Sequence, residues 1–159
     1  MRWTVLDSPI GDFSVATEGD SVCGTHFAAV AGAPREPVDE VSERAVAELR
    51  AYFAGESTEF GVSVTVPRGS EFERAVWREM TLIPYGETLT YGEVARRLGD
   101  PGAARAVGVA CNRNPIPVIV PCHRIIGAGG KLVGFGGGLD RKVKLLELEA
   151  RVALQRAWS

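Results

Sequence analysis

Two short helices separated by a three-residue link constrain this chain more than any other feature. The stretch "TYGEVARRLG" opens with Thr90 and Glu93 in capping-box spacing, where a hydroxyl and a carboxylate three residues apart satisfy orphan helix amides reciprocally. It stops at Gly99. After "DPG" comes "AARAVGVACNRN", which ends at Pro115 and Pro117 because neither can continue a helix. Two helices joined by so tight a glycine-containing turn form a helix-turn-helix candidate. The second carries Arg105 and Arg113 among the small residues Ala103, Ala104, Ala106, Gly108 and Ala110. Small residues let a helix approach a groove or another helix closely, and the hairpin alone leaves both partners open.

Charge distribution bears on that choice. The chain has 159 residues and a net charge of −2, which by itself argues against a nucleic-acid partner. Residues 1–66 hold 4 basic and 11 acidic side chains, whereas residues 67–159 hold 14 basic and 9 acidic ones. Within 90–144 the count is 9 against 3. An acidic front and a basic back make a phosphate-facing surface reasonable for the back half.

The front half alternates like a β-meander. "WTVLDS", "GDFSVATE" and "SVCGTHFA" are strand candidates separated by the turn signals "SPIG" and "EGD". "GAPREP" is a loop, and "VDEVSERAVAELRAYFAG" has helical spacing with Gly55 as its stop. "FGVSVTV" reads as a further strand, and "PRG" breaks the chain near residue 68. From there the pattern is mainly helical. "SEFERAVWREMTLI" begins with a capping box, Ser70 with Glu73. We therefore expect an α+β chain with an N-terminal α/β domain at 1–68 and a mostly helical domain at 69–159.

Against that frame, "VIVPCHRIIG" stands out, because it sets Cys122, His123 and Arg124 side by side between apolar runs. Burying unpaired polar groups is costly. A thiol becomes a useful nucleophile beside a base or a positive charge. Neighbouring side chains do not face each other on a helix or strand, so His123 would reach the sulfur through a water or a tight turn starting at Pro121. An orienting carboxylate is available in "LDRKVKLLELEARVALQ". There Leu145, Leu146, Ala150, Val152 and Ala153 trace an apolar arc, with Glu149 inside it and Glu147 opposite. Glu149 would pair with a histidine N–H, sit at an exposed margin, or pair with Lys142.

Cys23 and Cys111 read as packing residues, and His26 as a strand-face residue. Three scattered cysteines make neither a disulfide framework nor a zinc-ligand pattern. The N-terminal "MRWTVLDSPIGDF" lacks the apolar stretch of a signal peptide. The expectation is a reduced, cytoplasmic protein without a metal.

"NPIPVIVPCHRIIG", preceded by "YGETLTYGEVARRLGDPGAARAVG" and followed by "GGKLVGFGGGLDRKVKLLELE", resembles the O6-alkylguanine-DNA alkyltransferases, in particular their single-function bacterial form. Similarity runs from about Phe72 to Glu149, and "LDSPIG" with "VSERAVAELRAYFAGE" is similar to that family's N-terminal domain. The resemblance implies an RNase H-like N-terminal domain and a winged helix-turn-helix-like element in the C-terminal one. It also implies a suicide repair reaction on double-stranded DNA containing alkylated bases, without a cofactor, by a monomer or by molecules cooperating along DNA.

Residue by residue, the resemblance makes Cys122 the alkyl acceptor, His123 its base through a water, and Glu149 the holder of the imidazole. Asn114 would brace the active-site turn, and Tyr91 would contact the flipped base and rotate its 3′ phosphate. Arg105 would fill the gap in the DNA stack. The Cys122 and Ile125 backbone would read the guanine amino group. Phe135 would wall the pocket within the "GFGGG" loop, and Ala104, Arg124 and Gly136 complete the expected DNA and lesion contacts. Phe135 stands where many relatives have tyrosine and Gly136 where some have serine, so those side-chain hydroxyls are absent. Two competing readings are a damage-recognition protein that binds a lesion without transferring it, and a cysteine hydrolase, for which no glycine-rich oxyanion motif is present.

Overall fold

The structure, a computed structural model, describes all 159 residues and divides into two compact units, Met1–Pro67 and Arg68–Ser159. In the first, β1 (Arg2–Leu6), β2 (Phe13–Glu18) and β3 (Ser21–His26) form an antiparallel sheet in the order β1-β2-β3. Leu6 pairs with Phe13 across the first hairpin, and a bulge interrupts the second between Ala16 and Thr17. The sheet packs on α1 (Glu40–Phe53), which starts in a capping box between Asp39 and Ser42. Phe13 lies at the centre of the core, with its ring edge-on to Phe27 at 5.5 Å and to Phe53 at 5.6 Å. Each such buried side chain contributes roughly 1.5–3 kcal/mol.

The "FGVSVTV" segment is not the strand its alternation suggests. It touches the sheet through one bridge, Val22 to Val64, with Val22 N–H donating to the Ser63 carbonyl at 2.8 Å and Thr65 N–H to that of Val22 at 2.9 Å. Helix α1 claims the rest. The Glu48 carboxylate accepts from Gly61 N at 2.6 Å and Val62 N at 3.1 Å, and Arg44 Nη2 donates to the Gly61 carbonyl at 3.0 Å. Backbone groups already satisfied by side chains are withdrawn from a sheet ladder.

The second unit is built from α2 (Glu71–Thr81), β4 (Leu89–Thr90), α3 (Tyr91–Arg97), α4 (Ala104–Asn112), β5 (Ile125–Ile126) and α5 (Leu139–Ala157). Both expected capping boxes form: Ser70 with Glu73 starts α2, and Thr90 with Glu93 starts α3. Helices α2, α3 and α4 pack on one another. The buried Trp77 indole donates to the Ala110 carbonyl at 2.8 Å, a second donor there beside the Arg113 N–H that closes α4. The two-residue strands β4 and β5 pair in parallel, Leu89 with Ile125 and Thr90 with Ile126. That pairing joins the start of the helical hairpin to the segment leaving Cys122. No helix is long and apolar enough to cross a membrane.

Helix α5 corrects one expectation. Its buried stripe is Lys142, Leu145, Leu148, Glu149 and Val152, while Ala150 is exposed and Leu146 only half-buried. The stripe follows an i, i+3, i+7, i+10 spacing that carries Lys142 and Glu149 inward with the leucines. Two charged groups on one buried face need a polar reason to be there.

Candidate active site

The chain reaches Cys122 through a loop that its own side chains over-determine. Asn114, directly beyond α4, donates from Nδ2 to the Val120 carbonyl at 2.8 Å and accepts at Oδ1 from Ile116 N at 2.9 Å. Inside this clamp, Val118 is buried and holds φ at 76°, a left-handed conformation that costs a residue with a Cβ about 1–2 kcal/mol. At Pro121 (φ −82°, ψ 68°) the chain makes an inverse γ-turn, with Cys122 N donating to the Val120 carbonyl at 2.9 Å. Cys122–Arg124 then form one turn of 3₁₀-helix. At three residues per turn, consecutive side chains leave in three directions about 120° apart. This is how adjacent residues come to serve different partners.

His123 is fully buried, and its Nε2 lies 2.7 Å from Glu149 Oε2. Arg124 makes a fork on the same carboxylate, with Nε 2.8 Å from Oε1 and Nη2 3.0 Å from Oε2, and its Nη1 donates to the Ile83 carbonyl at 2.8 Å. A fourth donor to Glu149 is Gly86 N at 3.1 Å. Gly86 (φ 81°) is the third residue of the Pro84–Glu87 turn, and a Cβ there would fall 2.9 Å from that of Ala153. Only glycine meets both demands. Burial alone would raise the Glu149 carboxyl, but the hydrogen bonds of His123 and Arg124 and the charge of the guanidinium hold it well below the usual carboxylate range. Burial lowers the His123 imidazole, against the pull of Glu149, so the ring is neutral at rest. Arg124 alone suffices to keep Glu149 ionised.

Arg124 therefore departs from the DNA or lesion contact expected of it. Its guanidinium is buried and spent on Glu149 and Ile83, because the 3₁₀ turn points it toward α5. The Ile125 and Cys122 carbonyls are each engaged once already, by Lys142 Nζ at 2.6 Å and by Ile125 N, leaving each a second lone pair.

Cys122 is free and buried. Burial pushes its thiol up to about 11, with Asn114 and the charge of Lys142 working the other way. Cys111 is pushed up to about 12, chiefly by burial and further by the proximity of Cys122. Tyr91, the first residue of α3, donates from its hydroxyl to the Val133 carbonyl at 3.2 Å. Burial, then Cys111 and Cys122, raise that hydroxyl, so it keeps its proton. Lys142 is the residue the sequence reading passed over except as a partner for Glu149. Its signal was the seven-residue spacing to Glu149, two turns along the same face.

A cleft of about 930 Å³ opens beside this centre, lined by Tyr91, Arg96, Ala104, Arg105, Gly108 and Gly134 among others. Arg105 is exposed on α4 and has no partner, and Ala104 beside it is half-buried. Ala103 gives α4 no side-chain cap, which leaves first-turn amides open to an anion. Phe135 is half-buried with its ring 5.8 Å from Lys142 Nζ, and a Cβ at Gly136 would meet nothing within 4 Å. No group of three or more His, Cys, Asp or Glu side chains comes together to hold a metal.

Known proteins match this chain over nearly its whole length. Residues 1–66 match the family model for the 6-O-methylguanine DNA methyltransferase ribonuclease-like domain, and residues 71–151 that for the DNA binding domain of the same family. The methylated-DNA–protein-cysteine methyltransferase of Mycobacterium leprae is 48% identical over 153 residues, covering 94% of this chain and 92% of the relative. That of Methanosarcina acetivorans is 46% identical over 156 residues, covering 94% and 98%. The crystal structure of Mycobacterium tuberculosis OGT in complex with DNA has a TM-score of 0.87 at 47% identity, covering 96% of this chain and 94% of that one. From its ribonuclease-like first unit to the helical second unit that carries Cys122, this chain belongs to the 6-O-methylguanine DNA methyltransferase family.

Proposed function

We propose that this protein repairs DNA by moving the alkyl group of an O6-alkylguanine, once and irreversibly, onto Cys122. The observation that carries the reading is the free, buried Cys122 on a one-turn helix beside a neutral His123 held by Glu149 at 2.7 Å, within the unit that also presents the exposed Arg105.

An alkylated base inside a duplex cannot meet a buried sulfur, so it is flipped out, at a cost of a few kcal/mol that is least for a weakly paired base. Arg105 enters the vacated position and offsets lost stacking, while the open amides at the start of α4 hold a backbone phosphate. The base lodges beyond Tyr91, between the Cys122 turn and the loop around Phe135. The Ile125 carbonyl uses its second lone pair on the guanine amino group.

The Cys122 thiol then loses its proton toward His123. Because Nε2 is committed to Glu149, Nδ1 is the nitrogen that receives it, through a water, and the imidazolium formed is stabilised by the Glu149 carboxylate. The sulfur attacks the alkyl carbon as the carbon–O6 bond breaks. The departing guanine takes a proton from Tyr91, whose hydroxyl is still protonated at neutral pH. His123 returns the thiol proton to Tyr91 by way of solvent, so sulfur alkylation and release of neutral guanine balance. A thioether is not cleaved under these conditions, and each molecule reacts once. The reading carries with it a reducing, cytoplasmic compartment, since Cys122 must remain a thiol, and a single protein molecule is enough for the chemistry.

The test is intact-protein mass after incubation with duplex DNA carrying one O6-methylguanine. The wild type should gain one methyl group per molecule and Cys122→Ser none. A wild type that binds the duplex without gaining mass would instead make this a lesion-recognition protein.

A further inference from the structure

Lys142 is the buried charge that the reaction above does not use. Its residue is 0% exposed, yet it has no carboxylate within ion-pair reach. Its ammonium donates to the Ile125 carbonyl at 2.6 Å and to the Val133 carbonyl at 3.4 Å, and it lies 5.8 Å from the centre of the Phe135 ring. A lysine removed from water ordinarily keeps its charge only beside an anion. Carbonyl dipoles and an aromatic face supply part of that stabilisation. No formal negative charge supplies the rest.

The three contacts lie on two different pieces of chain. Ile125 follows the Cys122 turn directly, whereas Val133 and Phe135 belong to the glycine-rich loop that follows. The Val133 carbonyl is shared with the Tyr91 hydroxyl, 3.2 Å away. Titratable groups bearing on Lys142 come from every element around it: Cys122 and His123 from the 3₁₀ turn and Cys111 from α4, with Tyr91 of α3 one hydrogen bond away through Val133. Burial lowers Lys142, and the two thiols pull it back up. Of these groups Cys122 is the one whose anion must form before the alkyl group moves; Tyr91 gives up its proton only as the guanine departs.

We propose that Lys142 is a positioning residue for the alkyl transfer, its buried ammonium pinning the Val133–Phe135 loop to the Cys122 turn and standing as the counter-ion that the Cys122 thiolate meets when it forms. The proposal rests on the alkyl-transfer reading. Arg124, the other buried cation, cannot take this part because its charge is cancelled by Glu149.

Two variants separate charge from shape. Lys142→Met keeps the chain length and loses both charge and donors, and Lys142→Gln keeps a donor for the carbonyls without the charge. The first probe is iodoacetamide: labelling at Cys122 is followed by peptide mass from pH 6 to 9, below a thiol raised to about 11, where the rate follows the thiolate fraction and so reads the labelling midpoint relative to that of the wild type. The second is single-turnover methyl transfer from duplex O6-methylguanine. Loss of a nearby opposite charge should move the labelling midpoint of Cys122 up by about one unit in both variants. At neutral pH the thiolate fraction then falls about tenfold, and its greater nucleophilicity returns about threefold, so transfer slows by about threefold or more. Lys142→Arg, which restores the charge, should bring the midpoint back toward that of the wild type. If Lys142→Met fails to fold, Lys142→Gln decides. A folded Lys142→Gln with the wild-type midpoint and rate overturns the proposal, even if its thermal stability is reduced. A wild type that gains no methyl defeats the alkyl-transfer reading instead, and the iodoacetamide profile still judges the counter-ion.

Discussion

Removing either half of the Arg124–Glu149 pair should strongly destabilise the second unit, while removing both should cost less than the separate losses together. Glu149→Gln leaves the shape intact and strands a buried guanidinium whose Nε and Nη2 now lie 2.8 and 3.0 Å from an uncharged group. Arg124→Met strands a carboxylate that keeps only His123 and Gly86 N. Breaking a buried pair on one side costs about 3–5 kcal/mol, a large share of the roughly 5–15 kcal/mol by which a protein is stable. In the double variant neither charge is left alone, and the coupling between the two sites should be about 2–3 kcal/mol. Urea unfolding followed by the buried Trp77, with Trp3 and Trp158 replaced by Phe, reads the second unit directly. Additive costs, or a loss below about 1 kcal/mol for Glu149→Gln, would refute the reasoning, since both require a pair that water still solvates. The same cycle guards the kinetics. A slow Glu149→Gln protein counts against the His123–Glu149 step only when its rate is expressed per folded molecule.

Two further outcomes follow from the same geometry. Arg105→Ala should leave stability unchanged, because the side chain is exposed and unpartnered. It should slow repair of O6-methylguanine in duplex DNA by about tenfold or more while sparing reaction with the free alkylated base, since only the duplex has a stacking gap to fill; equal loss on both substrates would remove Arg105 from that role. With pH, stability should be greatest near neutrality. Folding lowers His123 from 6.5, so the unfolded chain takes up that proton first and stability declines as pH falls below about 6.5. Glu149 is depressed from 4.5, so its contribution is complete above that value and lost as pH falls through the folded one. Cys122 and Cys111 are raised from 9.0, so the unfolded thiols ionise first and stability declines again above about pH 9. A urea midpoint that rises between pH 6.5 and 5 would contradict the neutral, buried histidine.

What could be read from sequence was whatever is decided within a few residues. The capping boxes at Ser70 and Thr90 are local hydrogen bonds, and they formed where the spacing placed them. The hairpin α3–α4 followed from them and from Gly99. Features decided at a distance were not legible. Alternation in residues 60–66 looks like a strand, but the Glu48 carboxylate on α1 takes the amides of Gly61 and Val62 before the sheet can. The buried face of α5 includes Lys142 and excludes Ala150, against the arc its apolar residues trace, because a helical wheel weights apolar side chains and gives a lysine no reason to be buried. That reason lies in the Ile125 and Val133 carbonyls, on the strand and loop preceding α5. The DNA or lesion contact expected of Arg124 comes from the family resemblance and from no local pattern around the residue. Its actual direction depends on a 3₁₀ turn that residue identity alone does not specify.

The electrostatics of the site follow from treating its buried groups together rather than in pairs. At rest Glu149 is negative, Arg124 and Lys142 are positive, and Cys122 and His123 are neutral, so the centre holds one positive charge in excess. Transferring the thiol proton to His123 adds a thiolate and an imidazolium without changing that total. It does change which charges face which: the imidazolium meets Glu149, and the thiolate meets Lys142. Each new ion thus forms beside a group of opposite sign that folding has already placed, and little reorganisation is needed when the proton moves. The apolar walls act in both directions. They raise the Cys122 thiol to about 11 and so keep it protonated and unreactive while the pocket is empty, and they strengthen both new ion pairs once a lesion has displaced water. A site with only Glu149 and Arg124 would be balanced at rest and would leave the thiolate the hydrogen bonds of Asn114 and the turn's backbone, with no resident positive charge.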